Sequence, residues 1–264
     1  LTSENDAIAL AIAAGADTTC MVDVYGAMDC RGQNTYGALE FEAQVDAPVS
    51  VISMRHGVAC VVLDTGVVKC WVDAPGVTPP THTLPFVDVR VGSGHICAID
   101  SMGGLVCWGD GIPGELSVPV GLGPVHQVAP SDSSTCAIRA ARDVYCWGDA
   151  GDLQTAVPLE LTVATDITAG RRFYCALTPA GEVICWGLNN RGQRNLPVGM
   201  PPIVQISSAI DHTCAVDEDG GVWCWGYNGY GQLGNGGFDD PPEPSTVPTQ
   251  VVGLADAVEI AAGE

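Results

Sequence analysis

Lysine occurs once in 264 residues, at Lys69, and ten basic side chains face thirty-one acids, giving a net charge of −21. So few cations repel phosphate backbones and anionic headgroups, which removes nucleic acid from the expected partners. No uninterrupted apolar run approaches the ~18 residues of a membrane-spanning helix, so membrane insertion is not expected. The stretch AIALAIAAGA is apolar enough for a signal-peptide core, but LTSEND before it carries two acids where a basic region belongs. It reads as mature chain, with any targeting segment already removed.

Helix-forming windows are also missing. The 33 glycines and 18 prolines are scattered throughout, and no window sustains apolar spacing of three and four for three turns. Only 7–14 is ambiguous. The signatures of chemistry are absent too: no G-x-S-x-G elbow, no H-E-x-x-H, no Walker loop, and no G-x-G-x-x-G between strand and helix. Asp217 and Asp219 match a calcium loop only in part and are better explained by turn chemistry. His56, His82, His95, His126 and His212 are not paired in sequence. No catalytic residue, cofactor or metal is therefore expected. There is no N-x-S/T sequon; Pro-rich Thr/Ser stretches at 77–83 and 241–249 leave O-linked sugar as the remaining glycosylation chemistry.

What the chain does have is cysteine at a fixed rhythm. The twelve form six pairs of constant ten-residue spacing: Cys20 and Cys30, Cys60 and Cys70, Cys97 and Cys107, Cys136 and Cys146, Cys175 and Cys185, Cys214 and Cys224. Successive first cysteines lie 40, 37, 39, 39 and 39 positions apart, close to the period of one propeller blade. In the fifth copy, TDITAGRRFYCAL and EVICWG are two β runs joined by TPAG, a hairpin signal. Equivalent turns are DTG at 64–66, DSMGG at 100–104 and DEDG at 217–220, whereas the fourth copy uses RAARD without glycine. A later apolar segment in each copy supplies one or two further strands. Six small antiparallel sheets, each too small to stand alone, are best satisfied by radial packing. The expected fold is all-β: a single β-propeller over 1–264, of six or seven blades.

A reversal midway between the cysteines sets them opposite each other on adjacent strands, with the ~5.5 Å Cα separation that suits a disulfide. C-x9-C repeated six times forms no four-ligand cluster, which disfavours zinc. One bridge per blade contributes somewhat less than ~3 kcal/mol, and six of them point to an oxidising, extracellular location. Trp71, Trp108, Trp147, Trp186 and Trp225 follow the second cysteine, with Arg31 in that place in the first copy. Strand alternation sends this residue to the face opposite the cysteine, as a wedge between blades. A ring of sugar-stacking aromatics is the alternative.

His212, Thr213, Cys214, Ala215, Val216, Asp219, Gly220, Val222, Cys224, Trp225, Gly226, Asn228, Gly231, Gln232, Leu233 and Gly234 carry a pattern that resembles the regulator of chromosome condensation repeat. The fifth copy follows with CWGLNNRGQ; the first and second are degenerate. The resemblance implies a propeller, commonly of seven blades. Name-giving members exchange nucleotide on a small GTPase and touch chromatin, which the acidity and cysteines of this chain argue against. Secreted propellers of this type imply instead a non-catalytic structural or protein-binding module, with an inhibitor, adhesin or lectin as the alternative.

Two features bear on partners. The longest irregular stretch, GNGGFDDPPEPSTVPTQ, makes Tyr227, Tyr230, Phe238, Asp239 and Asp240 the candidate contact loop, suited to a basic protein or a glycan. AVEIAAG near the end repeats ALAIAAG at 9–15, so six hairpins come with seven first strands. In a closed six-blade ring the two would compete for one slot. Residues 257–264 then either begin a further repeat or form a closing or swapped strand that builds an oligomer or filament.

Overall fold

The computed structural model describes residues 9–33, 45–71, 78–111, 113–237 and 249–263. The period-two stretches become six antiparallel sheets, each an up-and-down meander. Blade I is β1 (Ala9–Ala14), β2 (Thr18–Asp23) and β3 (Met28–Gly32); blade II is β4 (Val49–Arg55), β5 (Val58–Leu63) and β6 (Val68–Trp71). Blade III is β7 (Phe86–Val91), β8 (His95–Asp100) and β9 (Leu105–Gly109), joined through one helical turn, α1 (Pro113–Leu116), to blade IV, β10 (Val125–Pro130), β11 (Ser134–Arg139) and β12 (Val144–Gly148). Blade V is β13 (Asp166–Ala169), β14 (Phe173–Leu177) and β15 (Val183–Gly187). Blade VI is β16 (Ile203–Ser208), β17 (His212–Asp217) and β18 (Val222–Gly226), with a two-residue fourth strand, β19 (Thr249–Gln250), on its outer edge. The ambiguous 7–14 region is therefore strand over its described part, and among the described residues the further strand expected in every copy appears in blade VI alone.

All six cystines close within their own hairpin. Their Cα atoms are 4.0–4.1 Å apart rather than the ~5.5 Å expected. The reason is register. In blade VI the turn is closed by Asp217 N–H donating to the Gly221 carbonyl, and counting back in pairs puts Cys214 and Cys224 at a non-hydrogen-bonded position, where strands lie closest. The turns place Gly26, Gly66, Gly103, Gly181 and Gly220 at φ between 77° and 82°, and Arg142 takes the same place at φ 70°. A Cβ at Gly66 would sit 2.3 Å from Cβ of Pro85 on the following blade, so glycine here also allows the close approach of two blades.

The core lies between blades. Cys97 and Ile99 of blade III pack against Ala137 and Trp147 of blade IV, and Cys175 and Leu177 of blade V against Ala215 and Trp225 of blade VI. The cysteine face of one blade thus buries the tryptophan face of the next, as strand alternation requires. Trp147, Trp186 and Trp225 are buried, and their Nε1 groups donate to the carbonyls of Glu115, Gln154 and Gln193 at 3.0, 2.9 and 2.9 Å. They are wedges with a fixed polar end, not a sugar platform.

Inner strands of neighbouring blades are tied by side chains. Val91 N–H donates to Ser53 Oγ (3.0 Å) and Ser208 N–H to Thr168 Oγ1 (2.8 Å). The same ties hold the C-terminal segment: Ile260 N–H donates to Gln205 Oε1 (2.8 Å), Ala262 N–H to Ser207 Oγ (3.0 Å), and Ile12 N–H to Glu259 Oε1 (3.1 Å). The expected competition between 9–15 and 257–263 does not arise, because the two segments lie side by side in separate places around the axis.

Candidate binding face

Position-by-position equivalence of the inner strands builds the wall of a central cavity of about 380 Å³. The equivalent position in each is apolar: Ile52, Val89, Val128, Ile167 and Ile206 are buried, and Ile12 and Ile260 are half-buried. Its neighbours turn to the axis, and among them Asp166, Glu259, Gln127, Gln205, Arg90 and Thr168 make the lining polar. Gln127 Nε2 donates to Asp166 Oδ1 at 2.6 Å, and Arg90 pairs with Asp88 at 3.1 Å. At the end where the first strands finish, Arg55 of blade II reaches across to blade V: Nη1 donates to the Ala169 carbonyl (3.0 Å) and Nη2 lies 3.5 Å from Asp132. The Arg55 side chain therefore spans from blade II to blade V at that end of the cavity.

Around this mouth emerge the loops that follow the third strands. Their geometry explains the W-G-x-N-x-x-G-Q part of the repeat. Asn228 is buried, accepts Leu233 N–H (3.1 Å) and donates to the Gly237 carbonyl (3.3 Å), while Gln232 accepts Tyr230 N–H (2.8 Å). In blade V, Asn189 accepts Arg194 N–H and Gln193 accepts Arg191 N–H, each at 2.8 Å. Gln193 also donates to Asp211 (3.2 Å), whose other oxygen takes Arg171 (2.9 Å). These polar residues hold loops in shape and are occupied by doing so.

What the loops present is less expected. Tyr227 and Tyr230 meet edge to face at 5.9 Å, and the Arg191 guanidinium lies 4.7 Å from the Tyr227 ring centre, within cation–π range. Tyr230 is 88% exposed. Arg194 is exposed nearby, and neither Arg191 nor Arg194 forms an ion pair among the described residues. Phe238, Asp239 and Asp240, assigned to the same contact loop, lie outside the described residues. The described part of the candidate site is thus aromatic and basic, in a chain that is acidic overall. Arg191 and Arg194 escaped the sequence reading because they belong to the preceding copy; their signal is the loop position they share with Tyr227 and Tyr230.

Two histidines are buried within the wall, away from the cavity lining. His95 lies between blades III and IV, with Nε2 2.7 Å from Thr135 Oγ1 and Nδ1 4.0 Å from Glu115. Burial, helped by the Arg55 charge and opposed by Asp132, lowers its pKa to about 4, and burial does the same for His212. Both are neutral at neutral pH. No group of three His, Cys, Asp or Glu side chains able to hold a metal ion occurs among the described residues.

The regulator of chromosome condensation (RCC1) repeat matches residues 164–193, 203–232 and 219–264. A search of curated proteins gives no match. Among solved structures, Prp20p from Saccharomyces cerevisiae superposes with a TM-score of 0.78 at 17% identity, covering 94% of this chain and 78% of that one; it is described with its binding properties to Gsp1p and histones. Human WBSCR16 gives 0.73 at 17% identity, over 98% and 85% of the two chains. The ectodomain of the Physcomitrella patens receptor kinase CR4 gives 0.71 at 20% identity, over 82% and 64%. The chain carries these repeats on a β-propeller of that type.

Proposed function

We propose that the chain is an extracellular, non-catalytic module that binds a protein partner through the rim of blades V and VI. The observation that carries this is the Arg191, Tyr227 and Tyr230 cluster, exposed on loops whose backbones are already fixed by Asn189, Gln193, Asn228 and Gln232. Fixed loops lose little freedom on association, and tyrosine and arginine are among the side chains enriched where interfaces concentrate their binding energy. Propellers of this repeat type are protein-binding modules, as Prp20p with Gsp1p and histones illustrates. Six cystines and the likeness to a receptor ectodomain support the extracellular assignment. Two unneutralised arginines favour carboxylates on the contacting surface of the partner, in place of the basic partner expected from sequence.

The open face of Tyr230 favours a second reading, a saccharide stacked on the ring. Screening the oxidised protein against displayed secreted proteins and a glycan array in parallel separates the two. The combined Tyr230→Ala, Arg194→Glu variant is expected to lose at least about tenfold in affinity for the protein hit, or ~1.4 kcal/mol, with its melting temperature unchanged. Binding indifferent to this variant, or a ligand recovered chemically altered, overturns the proposal.

A further inference from the structure

We infer that the face opposite the Tyr230 rim, across blades III to VI, joins a second copy of the chain about a two-fold axis. The connections leading into the inner strands of blades IV, V and VI repeat one pattern: Pro-Val-Gly-Leu at 119–122, Pro-Leu-Glu-Leu at 158–161 and Pro-Val-Gly-Met at 197–200. In the first two, Leu122 N–H donates to the Pro119 carbonyl (3.2 Å) and Leu161 N–H to the Pro158 carbonyl (3.1 Å), which closes a β-turn. The fourth residue anchors each turn inward: Leu122 and Leu161 are buried, and Met200 packs against the core between blades V and VI. The second residue stands out from it, so that Val120, Leu159 and Val198 are each at least 96% exposed. These turns lie where the inner strands begin, whereas the Tyr230 loop lies where they finish.

One aliphatic side chain in water needs no explanation. Three at the same turn position do, because that position accepts a polar residue at no cost. The charge around them is also unlike that of the molecule. Val125, Ala164 and Ile203 donate to the carbonyls of Gly103, Arg142 and Gly181, which sets each hairpin tip beside one connection. The connections at 118–124, 157–163 and 196–202 and the tips at 101–103, 140–142 and 179–181 together hold two charged residues, Arg142 and Glu160; Glu182, Glu218 and Asp219 stand at the margin. A chain of net charge −21 repels its own copies wherever acids predominate. Over this patch the two charges cancel.

Symmetry selects a second copy as the occupant. The row reads Val, Leu, Val in either direction at steps of 39 residues, one per blade. A two-fold axis at Leu159 sets Val120 against Val198 of the partner subunit and Leu159 against its own equivalent, as an isologous contact requires. The charges obey the same operation. Arg142, whose carbonyl accepts Ala164 N–H at 2.8 Å, shares the joint between blades IV and V with Glu160. Both are exposed, and neither forms an ion pair among the described residues. The axis brings each Arg142 toward Glu160 of the partner subunit. A lipid surface fits less well, since the patch has one arginine and no aromatic residue to hold headgroups. The contact leaves both Tyr230 rims free and stands whatever they bind.

Sedimentation equilibrium of the oxidised 264-residue protein should show a reversible monomer–dimer equilibrium. Leu159→Asp sets two carboxylates against each other at the axis and should raise the dissociation constant at least about tenfold. Because Leu159 is exposed, the diluted variant should keep the circular dichroism of the wild-type monomer. Arg142→Glu and Glu160→Arg should each weaken the dimer at least about threefold, and the two changes in one chain should restore it, because each new charge then meets its opposite across the axis. Tyr230→Ala should leave the equilibrium unchanged. A monomer at every concentration up to about 1 mM, a dimer indifferent to Leu159→Asp, a double variant weaker than either single one, or monomeric protein captured by phosphatidylcholine vesicles overturns the inference.

Discussion

Arg142 holds a left-handed conformation that five of the six hairpin turns assign to glycine. A side chain costs about 1 kcal/mol or more there. The blade that lacks the glycine also lacks the proline facing it: Ala164 N–H donates to the Arg142 carbonyl as Phe86 N–H does to Gly66, but Val163 precedes Ala164 where Pro85 precedes Phe86. Arg142→Gly should raise stability by about 0.5–1 kcal/mol, the strain relieved being partly offset by the freer unfolded chain; urea unfolding measures it, and an unchanged or lower midpoint contradicts it. His95 and His212 make stability depend on pH. Their folded pKa of about 4 lies below the ordinary 6.5, so the unfolded chain takes up protons that the folded chain refuses. Their contribution is complete above about pH 6.5 and falls as pH drops toward 4, by up to about 3 kcal/mol for each histidine. Urea midpoints for the wild type and His212→Gln at about pH 7.5 and 4.5 should show the smaller pH change in the variant.

At the scale of elements, the hairpins were legible because every contact they need is local. Ten-residue spacing and a central turn place Cys175 opposite Cys185, and alternation sends Trp186 to the other face, with no knowledge of any other blade. The loop set by Asn228 and Gln232 is held by contacts within one repeat, and its residues were legible in the sequence as part of the repeat pattern. Arg191 over Tyr227 was not, because it joins side chains from two repeats whose proximity depends on the packing of blades V and VI. The joint between blades can be measured directly. Trp225→Phe keeps most of the buried ring but removes the donor to the Gln193 carbonyl, leaving that acceptor buried and unsatisfied. It should destabilise by about 2–4 kcal/mol, combining lost volume with the orphaned carbonyl. The same change at Trp71, which is half-buried between the degenerate first and second repeats, should cost less. Thermal unfolding of both variants orders the two joints, and equal losses would contradict the expected difference between them.

For the whole molecule, Arg55 matters most among residues that sequence gave no reason to choose. It stands in the least regular repeat, next to His56, and its partners Ala169 and Asp132 are 114 and 77 positions away. Only closure of the ring brings blade II opposite blade V. Arg55→Met retains much of the side-chain bulk but removes the tie across the axis and leaves Asp132 and the Ala169 carbonyl without it. A loss of about 1–3 kcal/mol is expected, kept modest because Asp132 retains some access to water. A variant as stable as the wild type would mean that the ring holds its shape by its joints alone.

The tie across the axis also gives the cavity a polarity. The Arg55 guanidinium stands at the end where the inner strands finish, while Asp166 and Glu259 belong to the wall. A cation inside is drawn toward the carboxylates and repelled from the Arg55 end, so the two faces of the ring are electrically unlike.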